Sequence, residues 1–359
     1  MSKKEKSKIL ETTLRDGSYT IDFQFTTRDT ERICQALEEA GFDTIEIGHG
    51  VGLNASNSGQ GKAAQTDTEY MEAAARVLKK AKFGMFCIPG IARLEDVDKA
   101  GQHGMGFIRI GTDVSRMEES EPFIERAKKY GMFVCANFMK SYAMESKQFA
   151  QKAKLSQKFG AEVVYVVDSA GGMLPSDVEE YIRAIQDVCD VKIGFHGHNN
   201  LELAIANSLK ALELGAYLVD TSLQGLGRSA GNTPTELYVS ILEKKGLNTS
   251  ALDPIKIMDI GEKYIKPLIQ RRGYESLDTV CGMADFHSSF MATIRDYSSR
   301  YDVDPRQLIM AVTKKNKVSA PKELVENEAK NLIEKGQGFY TARFNVERYH
   351  GSEQSADDK

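Results

Sequence analysis

The sequence predicts an α/β fold, a (β/α)8 barrel followed by a helical C-terminal region, on three observations. Short apolar runs alternate with amphipathic helical ones over roughly 250 residues, the length of an eightfold barrel. Glycines stand where the helices should stop. Polar and charged residues collect where the apolar runs end, and in a parallel barrel those ends share one face.

The strand candidates are the runs at 9–13, 44–48, 83–88, 107–110, 133–138, 163–168, 191–196 and 217–221, rich in Val, Ile and Phe and bounded by turn residues. Between them, helical periodicity spans 28–40, 69–80, 119–130, 146–159, 175–188, 201–214 and 233–245. Gly41, Gly131, Gly160, Gly215 and Gly246 fall at the expected C-caps. A doubly wound open sheet gives a similar string, so closure into a TIM barrel follows from the count of eight. After Asn248 the pattern changes: 250–270, 285–301, 305–313 and 322–335 read as helices with no strong strand between them. The expected organisation is a barrel catalytic domain at 1–248, a helical C-terminal domain at 249–340 and a polar tail at 341–359, with 351–359 disordered.

Composition narrows the function. A chain of 359 residues, 41% hydrophobic and 27% charged, can bury one large core and a smaller second one. Net charge −4 and a pI near 6.0 leave no basic footprint for nucleic acid. Cys34, Cys87, Cys135, Cys189 and Cys281 are odd in number and lack metal spacing, and most lie in apolar stretches, as reduced core thiols of a cytoplasmic protein do. No segment approaches membrane-spanning length, and the charged N-terminus is followed by no signal-type apolar run.

Two motifs carry chemistry. In Phe195-His196-Gly197-His198 the histidines are two residues apart on a strand end, so both imidazoles project to one side. In Leu14-Arg15-Asp16-Gly17 a guanidinium and a carboxylate stand at the mouth of the first strand. Each alone has an ordinary reading, as a polar strand end or a surface ion pair. Together, Asp16, His196 and His198 make a donor set for a divalent cation, and Arg15 would face an anion bound beside it. Glu46 with His49, Asp168-Ser169 and the glycine-rich 224–232 segment lie at other strand ends; Asn232 could bring its amide to the metal.

These motifs, with Gly225-Leu226-Gly227, Gly231-Asn232, His49-Gly50-Val51-Gly52 and Val167-Asp168-Ser169-Ala170-Gly171-Gly172, resemble the superfamily of metal-dependent aldolases, lyases and Claisen synthases. That superfamily contains hydroxymethylglutaryl-CoA lyase and isopropylmalate synthase, and the likeness is greatest to its 4-hydroxy-2-oxovalerate aldolase branch. It runs from about Leu10 to Leu332. The resemblance implies a divalent cation, manganese foremost with magnesium or cobalt as alternatives, held by Asp16, His196 and His198 with Asn232 as a further ligand. It implies a pyruvate-type aldolase that makes or breaks a bond between a pyruvate enolate and an aldehyde. Arg15 would stabilise the enolate and Ser169 would contact the pyruvyl carboxylate. An acylating aldehyde dehydrogenase partner and a homo-oligomeric state are expectations of the same kind. A Claisen-type acyl-CoA enzyme and a metal-retaining, non-catalytic partner-binding barrel are the alternatives.

One departure bears on mechanism. The aldolase branch carries a histidine, thought to be the base, where this chain has Tyr19, and a tyrosine where this chain has His287. A phenol of ordinary pKa near 10 is a poorer base at neutral pH than an imidazole near 6.5. Either the roles are exchanged, with His287 as base and Tyr19 orienting the substrate hydroxyl, or both changes reflect a different substrate. Phe86-Cys87-Ile88 is placed to shape the aldehyde pocket.

Overall fold

The computed structural model describes residues 7–248, 252–269 and 275–335. Among these, eight parallel strands close into a barrel in sequence order: β1 (Lys8–Glu11), β2 (Thr44–Glu46), β3 (Lys82–Cys87), β4 (Phe107–Asp113), β5 (Phe133–Met139), β6 (Val163–Asp168), β7 (Lys192–Gly197) and β8 (Leu218–Thr221). Closure is direct, with Lys8 opposite Leu218 and Glu11 opposite Thr221. Each strand is followed by its helix: α1 (Thr27–Glu39), α2 (Asp67–Val77), α3 (Leu94–Gln102), α4 (Glu121–Lys129), α5 (Ser146–Phe159), α6 (Pro175–Gln186), α7 (Ala204–Glu213) and α8 (Thr235–Lys244). The eightfold (β/α)8 barrel expected from the sequence is the observed fold. The polar tail lies outside the described residues.

Helix α3 has no counterpart in the sequence reading. Only Val97 and Ala100 of its nine residues are buried and Gly101 lies within it, so its apolar stripe is too short to register as periodicity. Helices with stronger start signals were easier to read: Thr26 caps α1 and Thr66 caps α2, each reciprocated by an acidic side chain three residues on.

The strand pleat divides the core. Ile108 and Ile110 of β4 face the helices and join the large cluster, whereas Phe107 joins Leu10, Cys135, Val163, Tyr165 and Leu218 inside the barrel. Arg109 also turns inward, fully buried, with its guanidinium 4.5 Å from the centre of the Tyr165 ring. The barrel floor is therefore apolar, with charge stacked on it toward the C-terminal mouth.

After α8 come α9 (Pro254–Ile260), α10 (Ser276–Met283), α11 (Met291–Tyr301), α12 (Pro305–Thr313) and α13 (Lys322–Glu334). Ile257 and Ile260 of α9 pack into the large barrel cluster; α10 to α13 form their own core around Leu277, Ile294, Leu308 and Val325. The segment between α10 and α11 reaches the barrel mouth, where it delivers His287. Among the described residues no helix is long and apolar enough to cross a membrane. All five cysteines are free thiols, and four are buried.

Candidate active site

The chain leaves β1 at Glu11, whose buried carboxylate accepts the N–H groups of Thr13, at 3.0 Å, and Leu223, at 3.2 Å. This ties the first strand's exit to the last strand's exit and aims the following turn across the barrel mouth. Asp16 opens a 3₁₀ turn spanning Asp16–Ile21. Its Oδ2 lies 3.3 Å from His196 Nε2 and 3.2 Å from an Arg15 nitrogen, while its Oδ1 accepts the Arg228 backbone N–H at 3.0 Å. His196 and His198, two apart at the end of β7, stand with ring centres 5.0 Å apart. One ligand atom from each of Asp16, His196 and His198 falls within 4.8 Å of the others, and all three residues are buried.

The far side of each imidazole is anchored. His196 Nδ1 lies 2.8 Å from Asp220 Oδ2, and His198 Nδ1 lies 3.3 Å from the Gly231 carbonyl, contacts that leave each Nε2 available to a cation. Burial lowers the His196 pKa, but the flanking Asp16 and Asp220 outweigh it and raise it. Burial raises the Asp16 pKa, but Arg15 and the two imidazoles outweigh it and hold the carboxyl well below the usual range. Burial drives His198 down to about 3; Asp16 opposes this, and His196 and Arg228 reinforce it. An ionised carboxylate and a neutral imidazole are the forms a cation requires. Asn232 supplies a further observation. Its backbone bridges to His198, and its buried amide oxygen and nitrogen have no hydrogen-bond partner among the described residues. A buried, unpaired amide costs about 1–3 kcal/mol, a cost that ligation by its oxygen would offset. The donor set fits a divalent ion.

Beneath the site runs a buried charge chain. Asp220 accepts from His196 and from Arg109; Arg109 donates to Glu46 at 2.7 Å; Glu46 accepts from Arg15 Nε at 2.8 Å. The Arg15 guanidinium lies 4.9 Å from the centre of the Phe86 ring. Arg15, Asp16 and His196 therefore belong to one network that fixes each orientation.

One cleft, open at its mouth, is lined by Arg15, Asp16, Tyr19, Ser169, His196, His198 and His287, so seven of the eight residues given a catalytic, substrate-binding or metal role from the sequence meet there. Asn232, the eighth, adjoins it through His198. Phe86, Ile88, Met139 and Val167 supply apolar wall. Ser169 Oγ accepts the Lys140 N–H at 2.9 Å. His287 Nδ1 receives the Ser289 N–H at 3.2 Å and lies 2.7 Å from Ser289 Oγ. Burial, then repulsion from Arg228, Lys140 and His198, holds the His287 pKa well below 6.5.

Other strand-end polar residues serve the scaffold. His49 spans its own loop, accepting from Val51 N–H and contacting the Gly61 carbonyl, and stacks on Phe23. Asp168 accepts from the N–H groups of Gly172 and Met173, and burial pushes its pKa up to about 7. Sequence reasoning missed Arg109, Asp220 and Arg228. The first two had a signal, a lone charge inside an apolar strand run; Arg228 had none beyond its place in the glycine-rich loop.

The HMGL-like family model matches residues 6–263. A 4-hydroxy-2-oxovalerate aldolase of Geobacillus thermodenitrificans is 38% identical over 328 residues, covering 91% of this chain and 96% of the relative. That of Pelotomaculum thermopropionicum is 39% identical, covering 90% and 95%. The carboxyl transferase domain of Rhizobium etli pyruvate carboxylase superposes with a TM-score of 0.73 at 17% identity over 94% of this chain and 61% of that one, a likeness of fold. By sequence coverage and by fold, the chain belongs to the HMGL-like family, in its 4-hydroxy-2-oxovalerate aldolase branch of carbon–carbon lyases.

Proposed function

We propose that this protein is a divalent-metal-dependent pyruvate aldolase, interconverting a 4-hydroxy-2-oxo acid with pyruvate and an aldehyde. The observation that carries the reading is the convergence of Asp16, His196 and His198 with Arg15 in one buried cleft. A divalent cation held by Asp16, His196, His198 and Asn232 supplies Lewis-acid stabilisation of negative charge on substrate oxygens; manganese suits this oxygen and imidazole set, with magnesium or cobalt as substitutes. Arg15, braced by Glu46 and Asp16, presents a fixed cation to the enolate oxygen that forms as the C–C bond breaks. Ser169 meets the pyruvyl carboxylate.

His287 takes the proton from the substrate hydroxyl, and Tyr19 orients that hydroxyl. For Nε2 to carry the lone pair, the proton must sit on Nδ1 and donate to Ser289 Oγ, in place of the Nδ1 lone pair that the Ser289 N–H meets in the structure. The low pKa of His287 keeps the ring unprotonated at neutral pH, which suits a base at the expense of proton affinity. Phe86 and Ile88 bound the aldehyde's space. The free thiols support a reducing compartment, the cytoplasm.

The test is aldehyde-dependent consumption of pyruvate by the manganese-supplemented protein, alongside exchange of pyruvate methyl protons with solvent. Both are expected. Loss of both with metal supplied would rule the reading out.

A further inference from the structure

We propose that Asn137 is a further substrate-binding residue, its amide nitrogen donating to the pyruvyl carboxylate at the floor of the cleft. The inference rests on the aldolase reading and adds a residue to its pyruvate end.

The pleat of β5 puts Asn137 there. The inward positions run from Cys135, in the apolar barrel interior, through Asn137 to Met139 on the cleft wall. Asn137 is therefore the first polar side chain above the floor on that strand, and it lines the cleft while only 2% exposed. Inward positions of a parallel barrel are ordinarily filled by bulky apolar side chains, so a buried amide here calls for partners.

Arg109 fixes which way that amide faces. Its Nε lies 3.3 Å from Asn137 Oδ1, and a guanidinium carries donors only, so the acceptor end of the amide is the end that meets it. The Nδ2 end is turned away from Arg109 and meets no acceptor among the described residues. A buried donor left unpaired is costly, and the space beside this one is the cleft.

Arg109 also relates Asn137 to the pyruvyl half. Its Nε holds Asn137, one terminal nitrogen holds Glu46, and the other holds Asp220. Glu46 in turn accepts from Arg15 at 2.8 Å, and Asp220 lies 2.8 Å from His196. Asn137, the enolate-facing Arg15 and the metal-ligating His196 are thus arrayed around one guanidinium, whereas Tyr19 and His287 enter from the turn after β1 and the segment between α10 and α11. The half of the substrate bound by the cation and Arg15 is the half beside Asn137. Its carboxylate offers acceptors only at neutral pH. Ser169, at the end of the neighbouring β6, supplies a second donor: its Oγ accepts the Lys140 N–H, which leaves the hydroxyl proton to give.

The experiment measures pyruvate binding to the manganese-loaded protein by calorimetry, together with the KM for pyruvate in methyl-proton exchange, for the wild type, Asn137→Ala and Asn137→Asp. The alanine removes both the donor and the Arg109 contact. The aspartate keeps an acceptor for Arg109 and puts an oxygen where the donor was, so it separates a binding role from a structural one. Kd and KM for pyruvate are expected to rise about tenfold in Asn137→Ala, the scale of one hydrogen bond to a charged group, and further in Asn137→Asp. Manganese affinity and the KM for the aldehyde should stay within about twofold of the wild type. An Asn137→Asp protein that binds pyruvate as the wild type does overturns the inference, because an amide that only braces Arg109 gives that result. A loss confined to the aldehyde KM or to manganese affinity overturns it too. Should Asn137→Ala fail to fold by circular dichroism, Asn137→Asp decides. Wild-type exchange with unchanged pyruvate affinity in the variants sinks only the role of Asn137; a wild type that neither binds pyruvate nor exchanges its methyl protons sinks the aldolase reading with it.

Discussion

His287 presents two nitrogens with different partners, and its use as a base depends on which one carries the proton. The Ser289 backbone N–H favours a lone pair on Nδ1, whereas Ser289 Oγ can donate to Nδ1 or accept from it. Removing that hydroxyl leaves the backbone donor alone and fixes the proton on Nε2. Ser289→Ala should therefore slow turnover about five- to tenfold, the worth of one hydrogen bond near 1 kcal/mol. His287→Ala should lose about 10²–10⁴ in cleavage, and Tyr19→Phe only a fraction of that. Because a depressed pKa keeps the imidazole unprotonated further into acid, the low-pH limb of turnover at saturating manganese should lie below 6.5. A limb that keeps rising well above neutrality, with His287→Ala active, would point to Tyr19 instead. Arg15→Lys keeps charge but loses the fork that meets Glu46 and, in the proposed reaction, would meet the enolate. Its turnover should drop at least about a hundredfold with manganese still bound, as steady-state rates and metal titration would show.

At the scale of elements, β4 and β8 place one buried charge each at the level where the floor meets the cleft. Asp220 holds the His196 proton on Nδ1 and answers the Arg109 guanidinium. Asp220→Asn keeps a hydrogen-bonding group but weakens both functions, so manganese affinity, read by calorimetry, should fall about 10–100-fold. Asp220→Ala should cost about 3–5 kcal/mol in urea unfolding, because Arg109 is then buried against fewer carboxylates. This layer explains what the sequence could and could not tell. Strands and long helices were legible because apolar alternation and capping act within a few residues. The pair His196 and His198 was legible because a strand's period of two puts both on one side. The partnership of Arg109, Glu46 and Asp220 was not, since it depends on strand register and barrel closure, which bring together residues 63 and 111 positions apart. Nor could position alone separate His49 and Asp168, which tie loops, from Ser169, which faces the cleft.

For the whole molecule, a cation binding the folded barrel and not the unfolded chain adds RT ln(1 + [M]/Kd) to stability, about 2.7 kcal/mol at a hundredfold excess over Kd. Chelation should lower the melting temperature, and manganese should restore it. His198→Ala should lose that response and the activity while its far-UV circular dichroism stays that of a folded barrel. If the variant keeps full metal occupancy and turnover, His198 is no ligand.

The pairing of β1 with β8 also sets an order in time. Asp16 leaves the ribosome with the first strand and His196 with the seventh, so at about 5–20 residues per second the two are born roughly ten to forty seconds apart. The Arg228 loop and the Asp220 that anchors His196 come later still. A nascent chain therefore owns a carboxylate and an arginine without the imidazoles that complete the cleft. Its N-terminal half can gain helices early, but the first strand, paired on one side with the second, lacks its other neighbour until the eighth arrives. Reactive capacity switches on with closure, and an unfinished chain has no half-working centre to misdirect.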